Sequence, residues 1–249
     1  MVQYHRMLAD SYDALYAKLR DPAGDREFYA GLAREHGGPV LEVGCGTGRV
    51  LLPIARTGLP CAGVDPSPEM LDRLRGKQPP PTLDLLESEV ESMSLARRDY
   101  ALVYAAFRVF QHLLDVDSQL DALARIREHL RPGGVFAFDV FEPDLARMAR
   151  DEPETREDET VEVGARTVRR SFAVRRDQSK QLMAITLRYL DANTDEELGR
   201  ELINLRWCYR YELEHLLHRA GFEPLRWLSG FDGAPYDGSG EIIVVARRR

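Results

Sequence analysis

Three glycines alternate within five residues of the stretch VLEVGCGTGRV: Gly44, Gly46 and Gly48. They follow an apolar run, Val40, Leu41 and Val43, that carries a single acid, Glu42. A glycine turn between a strand and a helix lets bare backbone N–H groups approach a ligand closely. Asp65 stands 21 residues past Gly44, at the end of a second apolar run, CAGVD. A carboxylate there can accept both hydroxyls of an adenosine ribose. Glu89 lies in an acidic turn, ESEVE, where it and the Val90 amide would be in reach of an adenine edge. His112, in FRVFQHLLD, is the best-placed candidate for a general base, with Arg108 and Gln111 as alternative polar contacts. The dinucleotide fingerprint GxGxxG would need glycine at position 49, where Arg49 stands, so the spacing argues against NAD.

These residues need a scaffold, and the apolar periodicity supplies one. Strands are expected at Val40–Val43, Cys61–Asp65, Thr82–Leu86, Tyr100–Phe107 and Val135–Phe141. Helices are expected between them at Arg49–Arg56, after Ser67 and Pro68 as N-cap and first helical residue, and at Ser118–Leu130. Before them, Met7–Leu19 has helical spacing, and Asp25–His36 is a helix ended by Gly37-Gly38. YALVYAAF is apolar almost throughout, as a strand buried on both faces must be. Alternation of strand and helix at these lengths predicts an α/β, doubly wound, mostly parallel seven-stranded sheet.

The rhythm changes after the fifth strand. DEPETREDETVE reads as a solvated loop, and period-two patterning from about Arg166 to Tyr209 reads as antiparallel strands with turns at Asp177-Gln178-Ser179 and Asp191-Ala192-Asn193. Helix and strand resume at Glu212–Ala220, Pro224–Ser229 and Glu241–Ala246. The expected organisation is a helical cap segment, 1–36, a core formed by 37–144 and 208–249, and an antiparallel β insertion, 145–207. That insertion would serve as a substrate cover or as a dimer surface. Arg166, Arg169 and Arg170 within it are candidates to meet an anionic substrate.

Composition narrows the classes. The 249 residues are 44% hydrophobic and 30% charged, with a net charge of −7, which suits a globular domain and disfavours nucleic acid as a partner. The three cysteines, Cys45, Cys61 and Cys208, form neither a disulfide framework nor a CxxC metal pattern. The expectation is a cytoplasmic protein, monomer or homodimer, with no metal and no membrane partner.

Taken in order, LEVGCGTGR, GVDPSPEML, ESEVESMSL, YALVYAAFRVFQHLL, LRPGGVFAFDVF and YELEHLLHRAGF resemble the Rossmann-like S-adenosylmethionine-dependent methyltransferases of small-molecule type. The resemblance covers most of Val40–Phe222 apart from the insertion. It implies S-adenosyl-L-methionine as cofactor and methyl transfer to nitrogen or oxygen of a small-molecule acceptor. Glu42 and the amides of Gly44, Cys45, Gly46 and Gly48 would then hold the methionine part, and Asp65 the ribose. Pro66 and Met70 would flank the adenine, Glu89 and Val90 would read its edge, and Ala105 with Ala106 would line the sulfonium side. Tyr12 and Tyr16 resemble a segment that folds over the cofactor in many relatives. This family often has Asp where Glu89 stands. AAFR stands where an NPPY-like tetrad would signal amide or adenine methylation. A catalytically idle cofactor-binding protein and an NAD-dependent enzyme are the alternatives.

Overall fold

The structure is a computed structural model that describes residues 9, 12–16, 24–149, 154–163 and 165–249, with 154–159 described by backbone alone. Seven strands form the main sheet: β1 Val40–Val43, β2 Cys61–Asp65, β3 Leu83–Glu87, β4 Tyr100–Ala105, β5 Leu130–Phe141, β10 Phe222–Leu228 and β11 Glu241–Arg248. Their order is β10-β11-β5-β4-β1-β2-β3. β11 pairs antiparallel with both β5 and β10, while the β1, β2, β3, β4 and β5 pairings are parallel. This is the doubly wound α/β architecture expected from the alternation.

Every residue of β1, β2 and β4 is buried, because helices cover both faces of the sheet. The helices are α1 Asp25–His36, α2 Leu51–Ala55, α3 Pro68–Gly76, α4 Val116–His129, α5 Leu145–Met148 and α6 Arg210–Arg219. Local chemistry sets their ends. Ser67 accepts the Met70 N–H at 3.2 Å and Pro68 follows at the first helical position; Asp115 accepts the Ser118 N–H at 2.8 Å. The order of connections reverses at β1, which lies between β4 and β2, so a crevice opens at the carboxyl ends of β1 and β4.

Several boundaries differ from the sequence reading. Helix α2 is only five residues, since the glycine turn runs on to Val50 before helical bonding starts. β4 stops at Ala105, because Phe107 and Arg108 adopt left-handed backbone (φ 58° and 65°) that no strand tolerates. The acidic stretch read as a loop is largely a strand, β6 Glu154–Val163, paired antiparallel with β7 Arg166–Asp177. It lies at the edge of its sheet, beside β7. β8 Leu182–Asp191 and β9 Glu197–Arg206 complete a second, four-stranded sheet of order β6-β7-β8-β9, with both expected turns in place. Of the expected Met7–Leu19 helix, residues 9 and 12–16 are described and helical; the remainder lies outside the described residues.

Candidate functional site

A cavity of about 860 Å³ lies over the carboxyl ends of β1, β2 and β4. That is towards the upper end of the range for small-molecule sites, roughly 300–1,000 Å³. Its floor is the β1–α2 turn. Gly44 has φ 71° and its N–H donates to Val64 O at 2.7 Å, folding the turn back over β2. A side chain at Gly44 would place its Cβ 2.4 Å from Val109 Cγ2, so the turn and the segment after β4 touch only because glycine is there.

Asp65 ends β2 and is 5% exposed. Its Oδ2 accepts the Gly46 N–H at 2.7 Å and its Oδ1 the Ser67 N–H at 2.9 Å. Each oxygen keeps a further lone pair for a ligand hydroxyl. Burial raises its pKa while those two N–H bonds oppose the rise. Glu42, in the centre of the sheet, is 2% exposed and accepts the Tyr104 hydroxyl at 3.0 Å. Burial raises its carboxyl well above the usual range. Glu89, in the turn after β3, is raised by burial first and by Glu91 second. Three acids and a set of amides at one end of the cavity fit a ligand with cationic and hydroxyl groups. The donor set therefore suits a sulfonium nucleoside better than a pyrophosphate.

Arg49 occupies the position where a dinucleotide site needs glycine. It donates to both oxygens of Asp25, at 2.9 and 2.5 Å, and its guanidinium lies 5.8 Å from the Phe107 ring centroid. Asp25 is fully buried at the start of α1. Asp13 ties the N-terminal segment to the same turn. It accepts Thr47 Oγ1 at 2.6 Å and pairs with Lys77 at 2.6 Å, and Lys77 Nζ also donates to Thr47 O at 2.8 Å. Tyr12 and Tyr16 consequently line the cavity, their rings 4.4 Å apart, with Tyr16 5.0 Å from Phe107.

The cavity brings together Tyr12, Tyr16, Glu42, Gly44, Cys45, Gly46, Asp65, Pro66, Met70, Glu89, Val90 and His112. Two expected members lie elsewhere. Gly48 (φ 78°) faces α3, where a Cβ would come within 2.8 Å of Leu74 Cγ, so it serves helix packing. Ala105 packs into the core with Leu41, Val43 and Phe138, and the alternation of side chains along a strand turns Ala106 to the cavity instead. Gln111 is fully buried. Its Oε1 accepts the Phe141 N–H at 3.1 Å and its Nε2 donates to Arg206 O at 3.2 Å, so it braces the segment rather than facing a substrate. Of the candidates Arg166, Arg169 and Arg170, the last lines the cavity, donating to Tyr16 Oη at 2.9 Å and stacking 5.0 Å over that ring; Arg147 and Arg176 of the insertion line it too. Arg169 pairs with Asp195, and Arg166 is exposed.

His112 ends the 3₁₀ turn Val109–His112 and faces the cavity; burial pushes its imidazole down to about 4. It is thus neutral at pH 7. Native His112 refuses a proton that the unfolded chain accepts near 6.5, so it contributes stability present above that pH and lost as pH falls towards 4. Replacing it by Gln should flatten the fall in melting temperature between pH 6.5 and 4 by the equivalent of about 1–3 kcal/mol. Parallel melting curves read this as a difference, because His36 and His129 are also lowered by burial and remain in both proteins. Identical curves would place His112 in water.

The far wall of the cavity was beyond sequence reasoning. Phe172 and Val174 of β7, Met183 and Ile185 of β8, and Ile203 and Leu205 of β9 all line it. The alternation of the strands was legible, but which face met the core was not. Among the described residues, no group of three or more His, Cys, Asp or Glu side chains is placed to hold a metal, and no helix is long and apolar enough to cross a membrane.

Comparison with known proteins agrees with this geometry. A methyltransferase-domain family matches residues 40–134. The cypemycin N-terminal methyltransferase of a Streptomyces species is 24% identical over 264 residues, covering 99% of this chain and 98% of that protein. The dTDP-3-amino-3,4,6-trideoxy-alpha-D-glucopyranose N,N-dimethyltransferase of Streptomyces venezuelae is 30% identical over 131 residues, 51% of this chain and 54% of its own length. The solved structure of the CcbJ methyltransferase from Streptomyces caelestis superposes with a TM-score of 0.78 at 29% identity, covering 92% of this chain and 96% of that one. With the acid-lined glycine turn at the switch point of the seven-stranded sheet, these matches show a methyltransferase domain over residues 40–134 in a chain that is similar over nearly its whole length to methyltransferases.

Proposed function

We propose that the acceptor is an amine on a small molecule with an apolar body, and that the second sheet is the cover of its site. The observation that carries this is the two-ended cavity: acids and amides at the β1–β2 end, and at the other a mostly apolar face of β7, β8 and β9 that also carries Arg170, Arg176 and Asn204. When bound, S-adenosyl-L-methionine supplies the electrophilic methyl group. In this reading Glu42 and the amides of Gly44, Cys45 and Gly46 hold its methionine part, and Asp65 accepts the ribose hydroxyls. Pro66 and Met70 flank the adenine, and Glu89 with Val90 meets its edge. Ala106 takes the sulfonium side in place of Ala105, and Tyr12 and Tyr16 close over the top.

Transfer from a sulfonium is an in-line displacement, so the protein's main contributions are alignment and exclusion of water. His112 bears on the choice of nucleophile. A group with a pKa of about 4 is a poor match for abstracting a hydroxyl proton at neutral pH. It can still accept a hydrogen bond from an amine N–H and so point the nitrogen lone pair at the methyl group. An amine entering as its free base needs no stronger base. The two relatives described above are by name an N-terminal methyltransferase and an N,N-dimethyltransferase, which supports the same choice.

The test is calorimetric titration of S-adenosyl-L-methionine into the wild type and Asp65→Ala. Micromolar binding is expected, weakened by about 1–3 kcal/mol in the variant. Absence of binding to the wild type would overturn the reading. With binding in hand, an amine panel and its hydroxyl counterparts decide the nucleophile. Turnover confined to hydroxyls would refute the assignment to nitrogen. His112→Ala should lower turnover on the best amine while leaving cofactor affinity within about threefold.

A further inference from the structure

Asp139 lies near the C-terminal end of β5, fully buried, opposite Ile243 of β11 and not among the residues that line the cavity. Nothing in its surroundings is an ordinary strand environment for a carboxylate. Among the described contacts, three donors converge on it from two distant segments. Tyr29 Oη of α1 donates to Oδ1 at 2.7 Å, the Phe107 N–H to Oδ1 at 2.8 Å, and the Arg108 N–H to Oδ2 at 3.2 Å. Phe107 and Arg108 are the two consecutive non-glycine residues with left-handed backbone noted at the end of β4. L-residues leave that region unless something holds them, and such conformations concentrate where a site must be aimed.

What this turn aims is the reaction end of the cavity. It brings Phe107 to the wall, against Tyr16 and beneath Arg49. It sets Arg108 in the cavity wall, paired with Glu241 at 3.0 Å. It then launches the Val109–His112 turn, whose first residue seats on Gly44 and whose last is the cavity imidazole. A shift of the turn would therefore move Phe107, the glycine loop and His112 together.

We propose that Asp139 is the positioning residue of the transfer site: its buried carboxylate, steadied by Tyr29, holds the left-handed Phe107–Arg108 turn that fixes the glycine loop and His112 relative to each other. This rests on the methyltransferase reading of the cavity, and Asp139 acts on any ligand only through the turn.

Asp139→Asn keeps the size but turns an N–H₂ towards one of the donors. S-adenosyl-L-homocysteine is the probe, titrated calorimetrically into four proteins: the wild type, Asp139→Asn, Arg108→Gly and the double variant. Glycine at 108 adopts the left-handed turn without help, so the need for Asp139 shrinks. Asp139→Asn should weaken binding at least about tenfold in the wild-type background and under about threefold in the Arg108→Gly background. Equal losses in both backgrounds would mean that Asp139 merely supports the core, and no loss in either would remove it from the site; both overturn the proposal. If Asp139→Asn does not fold, Tyr29→Phe removes one of the three donors, and its smaller loss must likewise vanish in the Arg108→Gly background.

Amide hydrogen exchange gives a second reading that needs no ligand. The Phe107 and Arg108 amides should exchange slowly in the wild type and become fast in Asp139→Asn, while those of β1 keep their protection. Fast exchange at both amides in the wild type would overturn the proposal. A wild type that fails to bind S-adenosyl-L-homocysteine but shows the protected turn would sink the methyltransferase reading and leave the turn's restraint by Asp139 standing.

Discussion

Arg49→Ala should lower stability by about 3–5 kcal/mol, because it leaves the Asp25 carboxylate buried without its bidentate guanidinium. For a chain of this length that is a fall in melting temperature of roughly 6–20 °C. Most of the cost is the stranded charge rather than the worth of the pair. Replacing both partners at once, Asp25→Leu with Arg49→Met, should therefore recover most of the loss. Thermal and denaturant unfolding of the wild type and the two variants give the answer. A fall below about 1 kcal/mol in Arg49→Ala would mean that water or another cation reaches Asp25. The pair also joins α1 to the glycine turn, so Arg49→Ala should weaken cofactor binding as well.

Gly44→Ala is the second large effect, and it separates the site from the fold. The new Cβ would stand 2.4 and 2.7 Å from the Val109 methyl carbons, at a backbone angle of φ 71° that alanine adopts only under strain. Overpacking of this kind costs about 1–3 kcal/mol of stability. The relief open to the protein is to push the Val109–His112 turn off the glycine loop. Cofactor affinity should then fall by about 100-fold or more, out of proportion to the loss of stability. Val109→Ala in the same chain removes the clashing methyls and should restore part of the binding. If Gly44→Ala binds S-adenosyl-L-methionine as the wild type does, the turn is not the cofactor's floor.

How much of this was legible depended on whether the relevant physics was local. The strand–turn–helix grammar around Gly44, the N-cap at Ser67 and the carboxylate at the end of β2 all depend on near neighbours in the chain, and each stands where periodicity and capping rules placed it. Ala105 against Ala106 turned on a single step of the strand pleat, which an all-apolar run cannot register. β6 was missed because a strongly acidic stretch offers no apolar alternation, and its strand identity comes from backbone pairing with β7, supplied from another part of the chain. Gln111 looked like a substrate contact because nothing local announces that its amide braces Phe141 and Arg206.

The amino-acid sequence by itself determined the floor of the cavity: a glycine turn with an acid before it and a second acid at the end of the next strand, set by spacing along one βαβ unit. Only the tertiary structure decided the far wall of the cavity. Its apolar residues come from strands some 130 to 160 positions past the glycines, and which face of them turns inward is fixed by packing over the sheet. The neutrality of His112 likewise follows from burial that no neighbouring residue in the chain specifies. Asp139 read as one acid in an apolar strand, and its function emerged only when folding brought the Phe107 and Arg108 amides to it.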